Sequence, residues 1–178
     1  MNYPKYDISS STENITFEFK SNGTNGLIDK AIKYECVNKE QKIYNLCFGD
    51  KIGINEETGE LNIDDLIVSN NGDFEKILAT VASSAYKFGK KYPDTFIFFT
   101  GSTKARTRLY RRAISKEFKE ISKTFNIFGS KIINGKYKPV PFDKNGDFDG
   151  FIIKYKNDGN KKDWFNDWCN LHNRQKIG

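Results

Sequence analysis

Apolar and polar residues alternate in Ile15-Thr16-Phe17-Glu18-Phe19-Lys20, which predicts a half-buried strand, and the cluster Ser21-Asn22-Gly23-Thr24-Asn25-Gly26 predicts a turn after it. Alternation resumes from Leu27 to Val37, with Ile28, Ile32, Tyr34 and Cys36 on one face. After a polar break at 38–42 comes Ile43-Tyr44-Asn45-Leu46-Cys47-Phe48-Gly49-Asp50. These three runs read as an antiparallel meander. Residues 52–65 are polar and acidic, with Glu56-Glu57-Thr58-Gly59-Glu60 as an exposed hairpin tip or loop and Asp65-Leu66-Ile67-Val68 as a short returning strand. Ser69-Asn70-Asn71-Gly72-Asp73 supplies a turn and a helix N-cap. A helix is predicted from Phe74 to Tyr92, because Ile77, Leu78, Val81, Ala82, Ala85, Tyr86 and Phe88 recur at helical spacing and Pro93 closes the run.

The apolar run Phe96-Ile97-Phe98-Phe99 reads as a buried strand that feeds a glycine turn at 100–103 and a helix. That helix is expected to break near Ser115, which would cap a second amphipathic helix with Phe118, Ile121 and Phe125 on one side. Three strands follow, at 126–133, 136–142 and 151–156. Asn134-Gly135 marks a tight hairpin between the first two, and residues 143–150 form a loop before the third. Residues 157–160 read as a linker, after which Trp164, Trp168 and Leu171 define an amphipathic C-terminal helix that docks on the domain or on a partner. The fold class is therefore α+β: a mostly antiparallel sheet with two or three helices packed on one face, plus a C-terminal amphipathic helix. Residues 1–156 form the single α+β domain and 157–178 the linker and C-terminal helix. The pattern does not yield strand order.

Candidate chemistry concentrates at Thr100-Gly101-Ser102-Thr103-Lys104-Ala105-Arg106-Thr107-Arg108-Leu109-Tyr110-Arg111-Arg112. A first helical turn carries unpaired N–H groups and partial positive charge, so Lys104 and Arg106 sit there unfavourably unless an anion faces them. Gly101 permits close backbone approach, and Ser102 or Thr103 can cap the helix or donate to an anion's oxygen. Stepping about 100° per residue places Lys104, Arg108, Arg111 and Arg112 on one arc and Ala105, Leu109, Tyr110, Ala113 and Ile114 on the other. Arg106 falls among the apolar residues, so it needs an acceptor: a carboxylate from residues 50–75, or a ligand.

Composition sharpens this picture. The chain has 178 residues and a net charge of +6, which favours acidic partners. The charge is uneven: residues 101–125 hold eight cations against Glu117 and Glu120, whereas residues 55–75 hold seven acids and no cation. Cys36, Cys47 and Cys169 are odd in number and far apart, which suggests neither a disulfide framework nor a zinc site. With no apolar leader at the N-terminus and no run of membrane-spanning length, a soluble cytoplasmic protein is expected, with no membrane partner.

On Tyr44-Asn45-Leu46-Cys47-Phe48-Gly49-Asp50, Ser69-Asn70-Asn71-Gly72-Asp73, Lys76-Ile77-Leu78-Ala79-Thr80-Val81 and above all Gly101-Ser102-Thr103-Lys104-Ala105-Arg106-Thr107-Arg108-Leu109-Tyr110, the chain resembles a family of small bacterial proteins of unknown function, found largely in Bacteroidetes. The likeness runs over residues 3–156 and implies a bacterial origin; the segment after Asn157 lies beyond the usual family end. It implies no activity.

Several chemistries are set aside. His172 is the only histidine and lies in the tail, which argues against histidine catalysis in the core. The Gly101 turn lacks the spacing of a P-loop; Thr100-Gly101-Ser102 matches the start of a nucleotidyltransferase motif, but no paired aspartates follow. The loop with Asp143, Asn145, Asp147 and Asp149 has Phe148 where a calcium loop needs glycine and Lys154 where it needs glutamate. Asp50, Asp64, Asp65 and Asp73 would bind magnesium only if the fold gathered them. No metal or cofactor is expected.

The expected function is binding of a phosphate-bearing ligand, RNA or DNA before a free nucleotide, by Gly101, Ser102, Thr103, Lys104, Arg106, Arg108, Tyr110, Arg111 and Arg112. One alternative is a metal-independent endoribonuclease of bacterial toxin type in which Tyr110 or an acid moves the proton. Another is a structural or interaction domain that meets a partner, or a second copy, through Trp164, Trp168 and Leu171.

Overall fold

Nine strands and two helices make up the computed structural model, which describes residues 4–66 and 69–157. Strands β1 (Ser9–Ser10), β2 (Thr16–Gly23), β3 (Gly26–Asn38) and β4 (Ile43–Ile54) form the expected antiparallel run, with Phe17 opposite Ile32 and Tyr34 opposite Leu46. The β2–β3 turn is tighter than its six-residue signal, because only Thr24 and Asn25 separate the strands and Gly26 takes a left-handed φ of 82°. Asn71 holds that tip: its carbonyl accepts from Thr24 N at 3.0 Å and its Oδ1 from Asn25 N at 2.7 Å.

Strand β5 (Leu61–Asp64) returns antiparallel to β4, with residues 55–60 as the hairpin loop. The returning strand expected at 65–68 therefore lies four residues too late, and Asp65 and Leu66 are already in the bend that follows. The alternation Leu61-Asn62-Ile63-Asp64 is short and acidic, so it carried little strand signal.

Helix α1 (Phe74–Lys91) keeps its predicted limits. Asp73 stands at the N-cap position without capping by its side chain: Oδ2 accepts instead from Tyr6 Oη at 2.7 Å and Ser21 Oγ at 2.6 Å. Phe88, fully buried, stacks on Tyr34 with ring centroids 4.2 Å apart and meets Tyr44 edge-on at 5.1 Å. Burial drives the Tyr34 hydroxyl strongly upward in pKa, and that hydroxyl shares a 2.9 Å hydrogen bond with Ser84 of α1.

After α1, strand β6 (Phe96–Phe99) pairs parallel to β4 because the helix carries the chain back across the sheet. Helix α2 (Lys104–Thr124) then runs unbroken through Ser115. The expected break is absent for a physical reason: Ile114, Phe118 and Ile121 continue one core-facing stripe across that position, with no glycine or proline to interrupt it. Phe125, read as helical, opens β7 (Phe125–Ile133). Asn134 and Gly135, with φ of 54° and 71°, turn β7 into β8 (Lys136–Pro141), as Asn-Gly predicts.

Strand β9 (Gly150–Tyr155) inserts between β6 and β7, completing the order β1-β2-β3-β4-β6-β9-β7-β8, with β5 beside β4. Register places Phe17, Phe19, Ile32, Tyr34, Leu46, Ile97, Phe151, Ile153 and Ile127 on one face. Both helices cover that face, through Ile77, Ala85 and Phe88 of α1 and Ile114 of α2. The α+β class with a mostly antiparallel sheet is confirmed, with two helices on the face; the C-terminal helix expected from Trp164, Trp168 and Leu171 lies outside the described residues. Among the described residues, no helix is long and apolar enough to cross a membrane.

Phe88→Ala should lower stability by about 3–5 kcal/mol, the usual result of truncating a buried aromatic. Urea unfolding followed by circular dichroism measures it, and a loss below about 1 kcal/mol would show that α1 is held elsewhere.

Candidate functional site

The turn from β6 into α2 is fastened by its own hydroxyls. Thr100 Oγ1 donates to the Asp149 carbonyl at 2.6 Å, and Thr107 Oγ1 accepts from Gly101 N at 3.1 Å. Thr103 is the N-cap, its Oγ1 accepting from Arg106 N at 3.2 Å. Ser102 Oγ donates to the Asp65 carbonyl at 3.2 Å. Gly101 approaches its own helix closely: a Cβ there would lie 2.5 Å from Thr107 N and 2.6 Å from Arg106 Cβ.

The nine candidate residues part into groups. Gly101 and Thr103 shape the turn. Arg106 is half-buried, and its Nη1 donates to Ser102 Oγ at 2.8 Å and to the backbone carbonyl of Asp65. A main-chain oxygen of the acidic segment is thus among the acceptors of Arg106. Tyr110 lies one turn further on, its ring 6.0 Å from that of Phe48 and 6.2 Å from that of Phe99.

Lys104, Arg108 and Arg112 are exposed, but Arg111 leaves the arc expected for it. Its Nη1 donates to the Gly146 carbonyl at 2.8 Å and its buried Nε has no hydrogen-bond partner among the described residues, so it pins the 143–150 loop and is only partly exposed. Of the acids, Asp50 and Asp64 stand opposite each other across β4 and β5. Asp50 pairs with buried Lys30, Asp64 Oδ1 accepts from Leu66 N at 2.9 Å, and among the described residues no group of three His, Cys, Asp or Glu could hold a metal ion.

A cavity of about 350 Å³ between α1, α2 and the sheet was missed by the sequence reading. Ser102, Arg106, Tyr110, Arg112 and Asp65 reach it, together with Cys47 and apolar residues of both helices. Its one sequence signal was the row of small residues, Ala79, Ala82 and Ala85 on α1 and Ala113 on α2, which leaves room where two helices face each other. Buried Lys30 was also missed, although the alternation Ile28-Lys30-Ile32 puts it on the core face; its Nζ donates to Asp50 and, at 2.6 Å, to Ser69 Oγ.

Reactive groups in the cavity are held protonated. Burial pushes the Tyr110 hydroxyl up to about 12, an effect that Arg106 reduces and Asp65 reinforces, and burial pushes the Cys47 thiol up to about 11. At neutral pH neither is a ready base or nucleophile.

Two measurements test this geometry. Gly101→Ala should cost about 1–3 kcal/mol by forcing the turn away from α2, seen as a fall in melting temperature. Because the folded state favours the neutral phenol, Tyr110 contributes stability below its unfolded value near 10, and that contribution should disappear as the pH rises towards 12. In phenolate absorbance titrations, the difference between wild type and Tyr110→Phe should show one group ionising near pH 12; ionisation near 10 would mean that the ring is open to water.

No curated protein and no solved structure matches the chain. A family model does match, over residues 2–156, and the chain thus belongs to a family of unknown function, DUF6934.

Proposed function

We propose that the protein binds the phosphate backbone of RNA or DNA along the outer face of α2. The observation that carries this reading is a row of exposed cations, Lys104, Arg108, Arg112 and Lys116, spaced four residues apart on one helix with no acid between them. Residues four apart are neighbours on a helix surface, so the row winds by about 40° and advances about 6 Å per step and covers roughly 18 Å. A single phosphate needs one or two of these charges; a row of this length suits a polymer, which is why a nucleic acid is favoured over a free nucleotide. Lys116 also pairs with Glu75 at 2.6 Å, but both groups are exposed, and such pairs contribute little and exchange readily.

The endoribonuclease alternative, with Tyr110 or an acid moving the proton, would place its chemistry in the cavity that Tyr110 lines and not along the row at Lys104 and Arg108. The interaction alternative depends on Trp164, Trp168 and Leu171, which lie outside the described residues.

The test is salt-dependent binding of fluorescent single-stranded RNA and duplex DNA, with chelator present and the RNA run on a gel afterwards. The double variant Lys104→Ala/Arg108→Ala should weaken binding to both, and the log–log salt slope should fall by about 0.7–0.9 for each phosphate no longer neutralised. Arg111→Ala should lower the melting temperature and leave the slope unchanged. An unaltered slope in the double variant removes this face from consideration; RNA cleavage that disappears in Tyr110→Phe would favour the nuclease.

A further inference from the structure

We infer that the cavity between α1 and α2 is a second binding site, one for a small molecule with an apolar body and a single anionic end, carboxylate or phosphate. It is separable from the nucleic-acid reading, because neither Lys104 nor Arg108 lines it, although Arg112 and Lys116 of the outer row do.

Size and lining come first. At about 350 Å³ the cavity falls in the range of small-molecule sites, which are lined mainly by apolar groups with a few polar ones that fix orientation. Its floor is sheet, including Leu46, Phe99 and Ile153, and its walls include Ala82 of α1 and Ala113 of α2. The two helices stay apart here, and Leu109 and Phe74 at its edge remain 39% and 40% exposed. An apolar ligand body would cover surface that the protein itself leaves wet.

Ser102, Arg106, Asp65 and Tyr110 form one polar group on the lining, since Arg106 bonds Ser102 and the Asp65 carbonyl, and both Arg106 and Asp65 act on Tyr110. Arg106 is positioned there by its bonds to Ser102 and the Asp65 carbonyl, which pre-organises the guanidinium before any ligand arrives. The Tyr110 hydroxyl makes no hydrogen bond among the described residues and lines the cavity, so a donor stands ready beside a cation. That pairing suits a carboxylate or a phosphate.

Charged groups elsewhere on the lining must be weighed. Asp65 is in the same group, but its residue is exposed to screening water, and at Tyr110 the influence of Arg106 exceeds that of Asp65. Glu75 is paired with Lys116, and Arg112 and Glu117 lie further along α2. The part of the lining marked by Arg106 and Tyr110 is thus the place where an anion is favoured.

The test uses the full chain and three probes of one tail length: decanoate, decyl phosphate and decanol, titrated by calorimetry and by thermal shift. Decanoate or decyl phosphate should bind at least tenfold more tightly than decanol and raise the melting temperature; which of the two is tighter identifies the headgroup. Tyr110→Phe and Arg106→Met should each remove most of that advantage and leave decanol unchanged. Ala113→Trp should fill the cavity and abolish binding of all three, with Ala82→Phe as the second filling variant if the first does not fold. Lys104→Ala/Arg108→Ala should bind the probes as wild type does, which separates this site from the outer row. No binding of any probe, equal binding of decanol and the anions, or binding unaffected by filling the cavity would each overturn the inference.

Discussion

Two antiparallel halves, β1-β2-β3-β4 with β5 and β6-β9-β7-β8, meet at one seam: the short parallel pairing of Ile43, Tyr44 and Asn45 with Phe96, Ile97 and Phe98. Parallel pairs are slightly less stable per residue than antiparallel ones, and three residue pairs alone would make a weak hinge. What seals it is the aromatic packing above: Phe88 of α1 touches both Tyr34 and Tyr44, and Ile97 belongs to the same buried cluster. Beyond Asn45 and Phe98 the two strands part, β4 continuing towards β5 and β6 ending at the turn into α2. The cavity lies where they separate, lined by Asn45 to Phe48 on one side and by Phe99, Thr100 and Ser102 on the other. The seam thus fixes both the joining of the halves and the place of the site.

Helix α2 is held by a different balance. Only Thr107 and Ile114 are buried along its 21 residues, so apolar burial contributes less than it does for α1. Polar fastenings at its ends compensate. Gly101 folds against its first turn, Arg111 takes the Gly146 carbonyl, and Lys156 bonds the carbonyls of Ser122 and Thr124. A helix fixed in this way can keep one face charged and another beside open space, which a helix dependent on full burial cannot.

Legibility from the sequence followed the range of the interactions. Alternation in β2 and β3, the 3.6-residue period of α1 and the Asn134-Gly135 turn are local, and their elements stand where the pattern put them. The errors arose where distant segments decide. Asp73 looked like a cap, but Tyr6 and Ser21 claim its side chain. Ser115 looked like a cap, yet its hydroxyl points to the Lys144 carbonyl at 3.5 Å, while the apolar stripe carries the helix past it. Arg111 shares the outer arc with Arg108 and Arg112 on a helical wheel, but the 143–150 loop folds over it. Strand order and the cavity depend on contacts between elements far apart in the chain, and no periodicity encodes those.

The same helix therefore serves two surfaces, and the residues sort between them by geometry and not by charge. Lys104 and Arg108 belong only to the outer row; Arg106 and Tyr110 line the cavity and stand outside that row. Arg112 and Lys116 are exposed in the row and also line the cavity, so their charges act on both. Counting cations in the segment treats Arg106, Arg108 and Arg111 as equivalent, although one is tied to Asp65, one meets solvent and one supports a loop. For a helix with this many cations, the partner each guanidinium already has determines which of them can still meet a ligand.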